Sequence, residues 1–249
     1  MATTISPLLD ALFSRISNAV QALEAPPPGA DARAPVWPAG LQQNDVFEPA
    51  AQRVEVRQTA RTLNQGTEEG VQAPVVLGGT LPAIDQQTPD GNGRYLNGNA
   101  NCGPTSMAMI ARTDPNATLY GVPVSSMTDA QLVMALGMVG GTGTTGTCPN
   151  GEIAMAQAMG YQTASALGGF HPGFVDATLA AGGSVIVNGA IPVDGQISGH
   201  YMVVSGKDTQ GNYVVNDPWT GETLTMTPDA LDEFLKANPV NGGWSIAVW

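Results

Sequence analysis

Cysteine and histidine are both scarce in this chain, with two of each in 249 residues. Two cysteines build no disulfide framework. Cys102 and Cys148 can pair, but pairing would silence whichever thiol does chemistry. The four residues together show no tight ligand spacing, so neither a metal nor any other cofactor is expected. Acidic loops of the calcium-binding kind are also missing. Charge is short as well: 12% of residues are charged, and 9 Lys and Arg stand against 21 Asp and Glu, for a formal net charge of −12. So few cations suit neither nucleic acid nor an anionic membrane surface as a partner. No apolar run reaches the ~20 residues of a membrane span. A secretory signal is not recognisable: Met1 to Ser6 carries no basic residue, and Asp10 and Arg15 interrupt the apolar stretch that follows. These absences, with a Thr-, Gly- and Asn-rich composition, lead to an expectation of extracellular life by a route other than the general secretory one. A cytoplasmic location is the alternative.

Hydrophobic residues, in contrast, make up 43% of the chain, and glycine (31) and proline (19) are plentiful. A substantial core cut by many turns is expected. Three regions differ in texture. Residues 1–23 contain an amphipathic pattern: Ser6 can cap a helix, Pro7 can open it, and Leu9, Leu12, Ile16, Val20 and Leu23 recur at helical spacing. That helix can dock on the rest of the chain or on a partner. Residues 24–75 are rich in Pro, Ala and Gln without a sustained period, and read as an extended or disordered connector. Residues 76–249 read as one folded domain.

Within this domain helical patterns come first. Asn101-Cys102-Gly103-Pro104 opens a short apolar helix through Ile110, ended by Asp114-Pro115. Thr128 to Gln131 fits a capping box ahead of Leu132, Val133 and Leu136. Short helices are expected over 152–159, with Gly160 closing it, and over 172–181. Gly140 to Thr147 (GGTGTTGT) reads as a flexible low-complexity loop. Strands follow at 184–188, 201–205, 212–216 and 222–226, then a helix from Thr227-Pro228 through Ala237 and a last strand at 244–248. Helices followed by a mostly antiparallel sheet give an α+β class.

The chemistry centres on Cys102. A thiol at the start of a helix feels the positive end of the helix dipole, which favours the thiolate nucleophile. Such a nucleophile needs a base, and histidine is the usual one. His200 stands at the start of the strand 201–205, a rigid platform; His171 stands in a turn before a helix. An imidazole needs an acceptor at its other nitrogen, and Asp217 ends the next strand. If those strands form a hairpin around Lys207–Gly211, the midpoint between 200 and 217 falls inside the loop, and the two residues lie side by side. The competing reading is that Asp217-Pro218 merely signals a turn.

The segments Cys102-Gly103-Pro104-Thr105-Ser106-Met107-Ala108-Met109, Gly199-His200-Tyr201-Met202-Val203-Val204-Ser205-Gly206 and Val215-Asn216-Asp217-Pro218, in this order, resemble the C39-like branch of the papain-like cysteine peptidases. The resemblance covers roughly residues 80–249. It implies a papain-like fold with a helical lobe followed by a sheet lobe, and a cleft between them. It implies Cys102 as nucleophile, His200 as general base and acid, and Asp217 as the residue that orients it. It also implies an oxyanion hole made by the Cys102 N–H and a glutamine side chain upstream, for which Gln86 and Gln87 both fit. Asn97, Asn99 and Asn101 lie nearer in sequence and offer amides instead. The implied activity is hydrolysis of peptide or amide bonds through a thioester, on a peptide, a protein or a peptidoglycan stem peptide. Acyl transfer of the transglutaminase kind with the same residues, or a binding module that has lost activity, are the alternatives.

Overall fold

The computed structural model describes residues 81–87, 98–239 and 242–249. The helix and connector expected over 1–75 lie outside them. Five helices and eight strands are formed among the described residues: α1 (Cys102–Ala111), β1 (Thr118–Leu119), β2 (Val122–Pro123), α2 (Asp129–Val139), α3 (Pro149–Ala158), β3 (Thr163–Leu167), α4 (Pro172–Ala180), β4 (Ser184–Val193), β5 (Gln196–Lys207), β6 (Tyr213–Asp217), β7 (Glu222–Met226), α5 (Pro228–Lys236) and β8 (Trp244–Val248). Strands β3 to β8 build one antiparallel sheet in the order β3-β8-β4-β5-β6-β7. This is the α+β class expected from the sequence.

The middle of the sheet is buried on both faces, which is why its central strands read as continuous apolar runs rather than alternating ones, while edge strand β7 is largely exposed. Ile186, Tyr201, Val203, Ile246 and Val248 share a core with Met107 and Met109 of α1, Leu132 and Leu136 of α2 and Met155 of α3. Val185, Val187, Met202 and Val204 share a second core with Val175 and Leu179 of α4 and Leu231, Phe234 and Leu235 of α5. Helices α1, α2 and α3 thus cover one face of the sheet and α4 and α5 the other.

Helix α1 is buried along its whole length, Thr105 and Ser106 included. It packs against α2, α3 and β5, and truncating a side chain such as Met109 to alanine costs about 2–5 kcal/mol. Arg112 fastens its far end: the guanidinium donates to Asp129 Oδ1, Val124 O and Met127 O, each at 2.7 Å. Helix α2 then starts with the expected capping box, Thr128 Oγ1 accepting from Gln131 N and Gln131 Oε1 accepting from Thr128 N. The nucleophile candidate thus sits on a rigid element whose end is tied to the next helix.

Several expectations need correction. The strand at 184–188 runs on to Val193, and the strand at 201–205 begins at Gln196, because Asp194 and Gly195, both at positive φ, turn β4 directly into β5. Strand β3 is an addition to the expected strands, since Thr-Ala-Ser-Ala-Leu carries little β-branched character. Gly140–Thr147 is a closed turn rather than a loose loop: Gly143 and Gly146 bridge each other, and the Thr142 and Thr147 hydroxyls meet at 2.6 Å.

Candidate active site

Cys102 is the first residue of α1 and is buried, 6% exposed. Asn101 precedes it without capping the helix by its side chain. Pro104 brings no N–H, so the Cys102 and Gly103 amides are left as the first-turn donors without an intrahelical acceptor. Cys148, partly buried, lies just ahead of α3, and both cysteines are free thiols.

His200 lies inside β5, four residues after its start, rather than at a strand end. It is 1% exposed. Its Nε2 meets Asp217 Oδ1 at 2.6 Å. The two residues are not cross-strand partners. Val203 pairs with Asn216 and Val204 with Val215, so continuing the register puts Asp217 opposite Met202, two residues past His200. The pairing next to the turn is offset from the symmetrical hairpin expected from the sequence, and a bulge between Val204 and Gly206 brings Asp217 one residue nearer His200 than that pairing alone would. His200 and Asp217 meet as diagonal neighbours, a distance long side chains span.

Asp217 is itself held. The same Oδ1 accepts the Trp219 amide at 2.8 Å, so the turn after β6 aims the carboxylate. Trp219 and Phe234 both stand edge-on to the imidazole at 6.4 Å. Neither was visible as a site residue in the sequence. Burial alone would drive His200 towards its neutral form. Hydrogen bonds and charge from Asp217 and Cys102 outweigh it, and the His200 pKa is raised from 6.5 to about 9. With Nε2 engaged by Asp217, Nδ1 is the nitrogen left for the Cys102 thiol. His171, in contrast, is exposed just ahead of α4.

The segment 81–87 lies along the turn that carries Asp217. Gln86 N donates to Pro218 O at 2.8 Å, and Asn216 Nδ2 donates to Leu81 O at 3.4 Å. Burial separates the two glutamines. Gln86 is wholly buried, and its Nε2 donates to Gly98 O at 2.7 Å, in the short 3-10 turn just before Cys102. Gly98 O can only accept, so the amide nitrogen must face it, and a second N–H remains on that nitrogen. Gln86 Oε1 has no partner among the described residues. Gln87 is only half-buried, and its backbone N–H bonds to Asp85 Oδ1. Asn101 is buried, Asn99 is exposed, and Asn97 lies outside the described residues.

Three parts of the fold far apart in sequence therefore meet: a thiol at a helix start, an imidazole–carboxylate pair on neighbouring strands, and a buried amide tied to both. Such a set can take a proton from a thiol, hold it on a ring nitrogen and return it.

Among solved structures the chain is similar to the peptidase domain of Streptococcus ComA, a bifunctional ABC transporter involved in a quorum-sensing pathway, with 18% identity over 60% of this chain and 91% of that one, at a TM-score of 0.42. It is similar to a C39-like peptidase from Bacillus anthracis, with 11% identity over 70% of this chain and 96% of that one, at a TM-score of 0.46. It is also similar to the interpain A cysteine protease of Prevotella intermedia, with 18% identity over 70% of this chain and 93% of that one, at a TM-score of 0.43. A search of curated protein sequences finds no match. The sequence model of one family, described as the Peptidase_C39 like family, matches residues 81–238, from the Gln86 segment through α5. That match takes in every side chain of the site and more than half of the chain, and the protein belongs to the Peptidase_C39 like family.

Proposed function

We propose that the protein is a cysteine hydrolase that cleaves peptide or amide bonds, with Cys102 as nucleophile, His200 as general base and acid, and Asp217 as the residue that orients His200. The observation that carries this reading is the buried His200–Asp217 hydrogen bond of 2.6 Å, on an imidazole whose pKa is pushed up to about 9 by Asp217 and Cys102 against the opposing effect of burial. An imidazole held protonated beside a thiol supports a thiolate–imidazolium pair at neutral pH.

The steps follow from the partners. The Cys102 thiolate attacks the substrate carbonyl, and the oxygen that becomes negative is met by the Cys102 amide and the free Gln86 N–H. His200 gives its proton to the departing amine as the tetrahedral intermediate collapses to a thioester. His200, now neutral, takes a proton from water; the hydroxide attacks the thioester, and the returning thiolate restores the pair. Asp217 keeps Nε2 occupied throughout, so that Nδ1 alone exchanges protons.

The experiment is incubation of the wild type and Cys102→Ala with a peptide library and with purified peptidoglycan, read by mass spectrometry. New carboxyl termini formed only by the wild type support the reading. Product released equally by Cys102→Ala, or an amine-linked product instead of an acid, refutes hydrolysis by this thiol.

A further inference from the structure

The start of the nucleophile helix has a second acid against it. Glu152, in the first turn of α3, is wholly buried, and neither of its carboxyl oxygens has a hydrogen-bond partner among the described residues. The carboxyl lies over Gly103. A Cβ at that position would stand 1.9 Å from Glu152 Oε1 and 2.9 Å from Thr147 Oγ1. Glycine after the cysteine therefore leaves the space that the acid fills. The N-termini of α1 and α3 converge on one carboxyl group that no side chain satisfies.

The groups around it are Cys102 and the Gly103 peptide from α1, Thr147 from the turn before α3, and Tyr201 from β5, with Cys148 acting on the same tyrosine. None of these side chains is a cation. An unpaired carboxylate in such surroundings is strongly disfavoured, so the group keeps its proton instead. Burial, and then the negative charge of Cys102, hold the Glu152 pKa well above the ordinary carboxyl range.

We propose that Glu152 is a positioning residue for Cys102: packed over Gly103 between the starts of α1 and α3, it fixes the first turn of α1 and shares that site with the thiol. The proposal rests on Cys102 being the reactive thiol of the proposed hydrolase. Coupling between two acids is reciprocal, so removing the charge on Cys102 must lower the pH at which Glu152 ionises. An ionised Glu152 would likewise oppose the thiolate.

The test has two arms, both on the full chain and neither needing a substrate. In the first, the carbonyl stretch of a protonated carboxylic acid is titrated by infrared spectroscopy in the wild type, Glu152→Gln and Cys102→Ser. The wild type is expected to show at neutral pH an acid band that Glu152→Gln lacks, and its midpoint should fall by about one pH unit or more in Cys102→Ser. A wild type without such a band, or an unchanged midpoint in Cys102→Ser, overturns the proposal. In the second arm, alkylation of Cys102 by iodoacetamide is timed. Glu152→Gln keeps the shape and should react at close to the wild-type rate, whereas Glu152→Ala and Gly103→Ala should each slow about tenfold or more with the fold intact by circular dichroism. A folded Glu152→Ala that alkylates at the wild-type rate removes the positioning role. Infrared coupling in a wild type that hydrolyses nothing would refute only the hydrolase reading; hydrolysis without a Glu152-dependent band would refute only this proposal.

Discussion

Replacing Asp217 by asparagine should lower the pH at which His200 loses its proton. The wild-type imidazole is raised from 6.5 to about 9, by hydrogen bonds and charge from Asp217 and Cys102 acting against burial. The substituted amide would keep an oxygen near Nε2 but remove the charge, leaving burial and Cys102 to compete. A carboxylate within ~4–6 Å is worth roughly 1–3 pH units, so the midpoint should fall by about that amount. The stability consequence has a definite sign. Because the folded-state pKa is raised, the contribution is fully present below pH 6.5 and is lost as pH rises through about 9. A shift of this size corresponds to about 3 kcal/mol. In Asp217→Asn the loss should be smaller and should occur at lower pH. Only two histidines are present, so proton NMR of the imidazole C–H resonances resolves both, and His171→Ala assigns them. Urea unfolding at pH 6 and near pH 10 supplies the stability arm. A wild-type His200 titrating near 6.5, or an Asp217→Asn midpoint still near 9, would refute the reasoning.

Two further outcomes follow from single residues. Gln86→Ala should cut turnover about 100- to 1000-fold while Gln87→Ala leaves it nearly unchanged, since the loss of one oxyanion donor has that magnitude; equal losses would remove the assignment of Gln86. Gly189→Ala should destabilise the fold by about 1–3 kcal/mol in urea unfolding, because its Cβ would stand 2.4 Å from both the ring and the backbone oxygen of Phe234, and only the ring can turn away. Since Phe234 stands beside His200 and Gly189 pairs with it across β4 and β5, turnover should fall with stability.

Much of this site was legible in the sequence, and the reasons for the gaps are physical. Cys102, His200 and Asp217 announced themselves through chemistry: a thiol at a helix start, and a histidine and an aspartate on adjacent strands around a short loop. Strands 222–226 and 244–248 emerged with the bounds expected, since each is framed by clear turn residues. The hairpin at Asp194-Gly195 was hidden by Gly189, Pro192 and Gly199, residues that read as breakers although the strands run through them. Gln86 and Gln87 are the same residue type side by side. Only the fold, by bonding Gln86 to Pro218 and Gly98, separates them. Glu152 looked like an ordinary acid in the first turn of a helix. Its burial against Gly103 depends on α1 and α3 crossing, which no local pattern encodes.

The central claim is that Cys102 is the activated thiol, and competitive labelling tests it most directly. Cys102 is 6% exposed, whereas Cys148 is only partly buried, so access alone would direct a thiol reagent to Cys148 first. With a limiting thiol-directed epoxide and peptide mass spectrometry, the account predicts Cys102 labelled ahead of Cys148. It further predicts that His200→Ala slows labelling of Cys102 about 100-fold or more while leaving Cys148 unaffected. Preferential labelling of Cys148 with Cys102 untouched, or a Cys102 rate indifferent to His200, would contradict it.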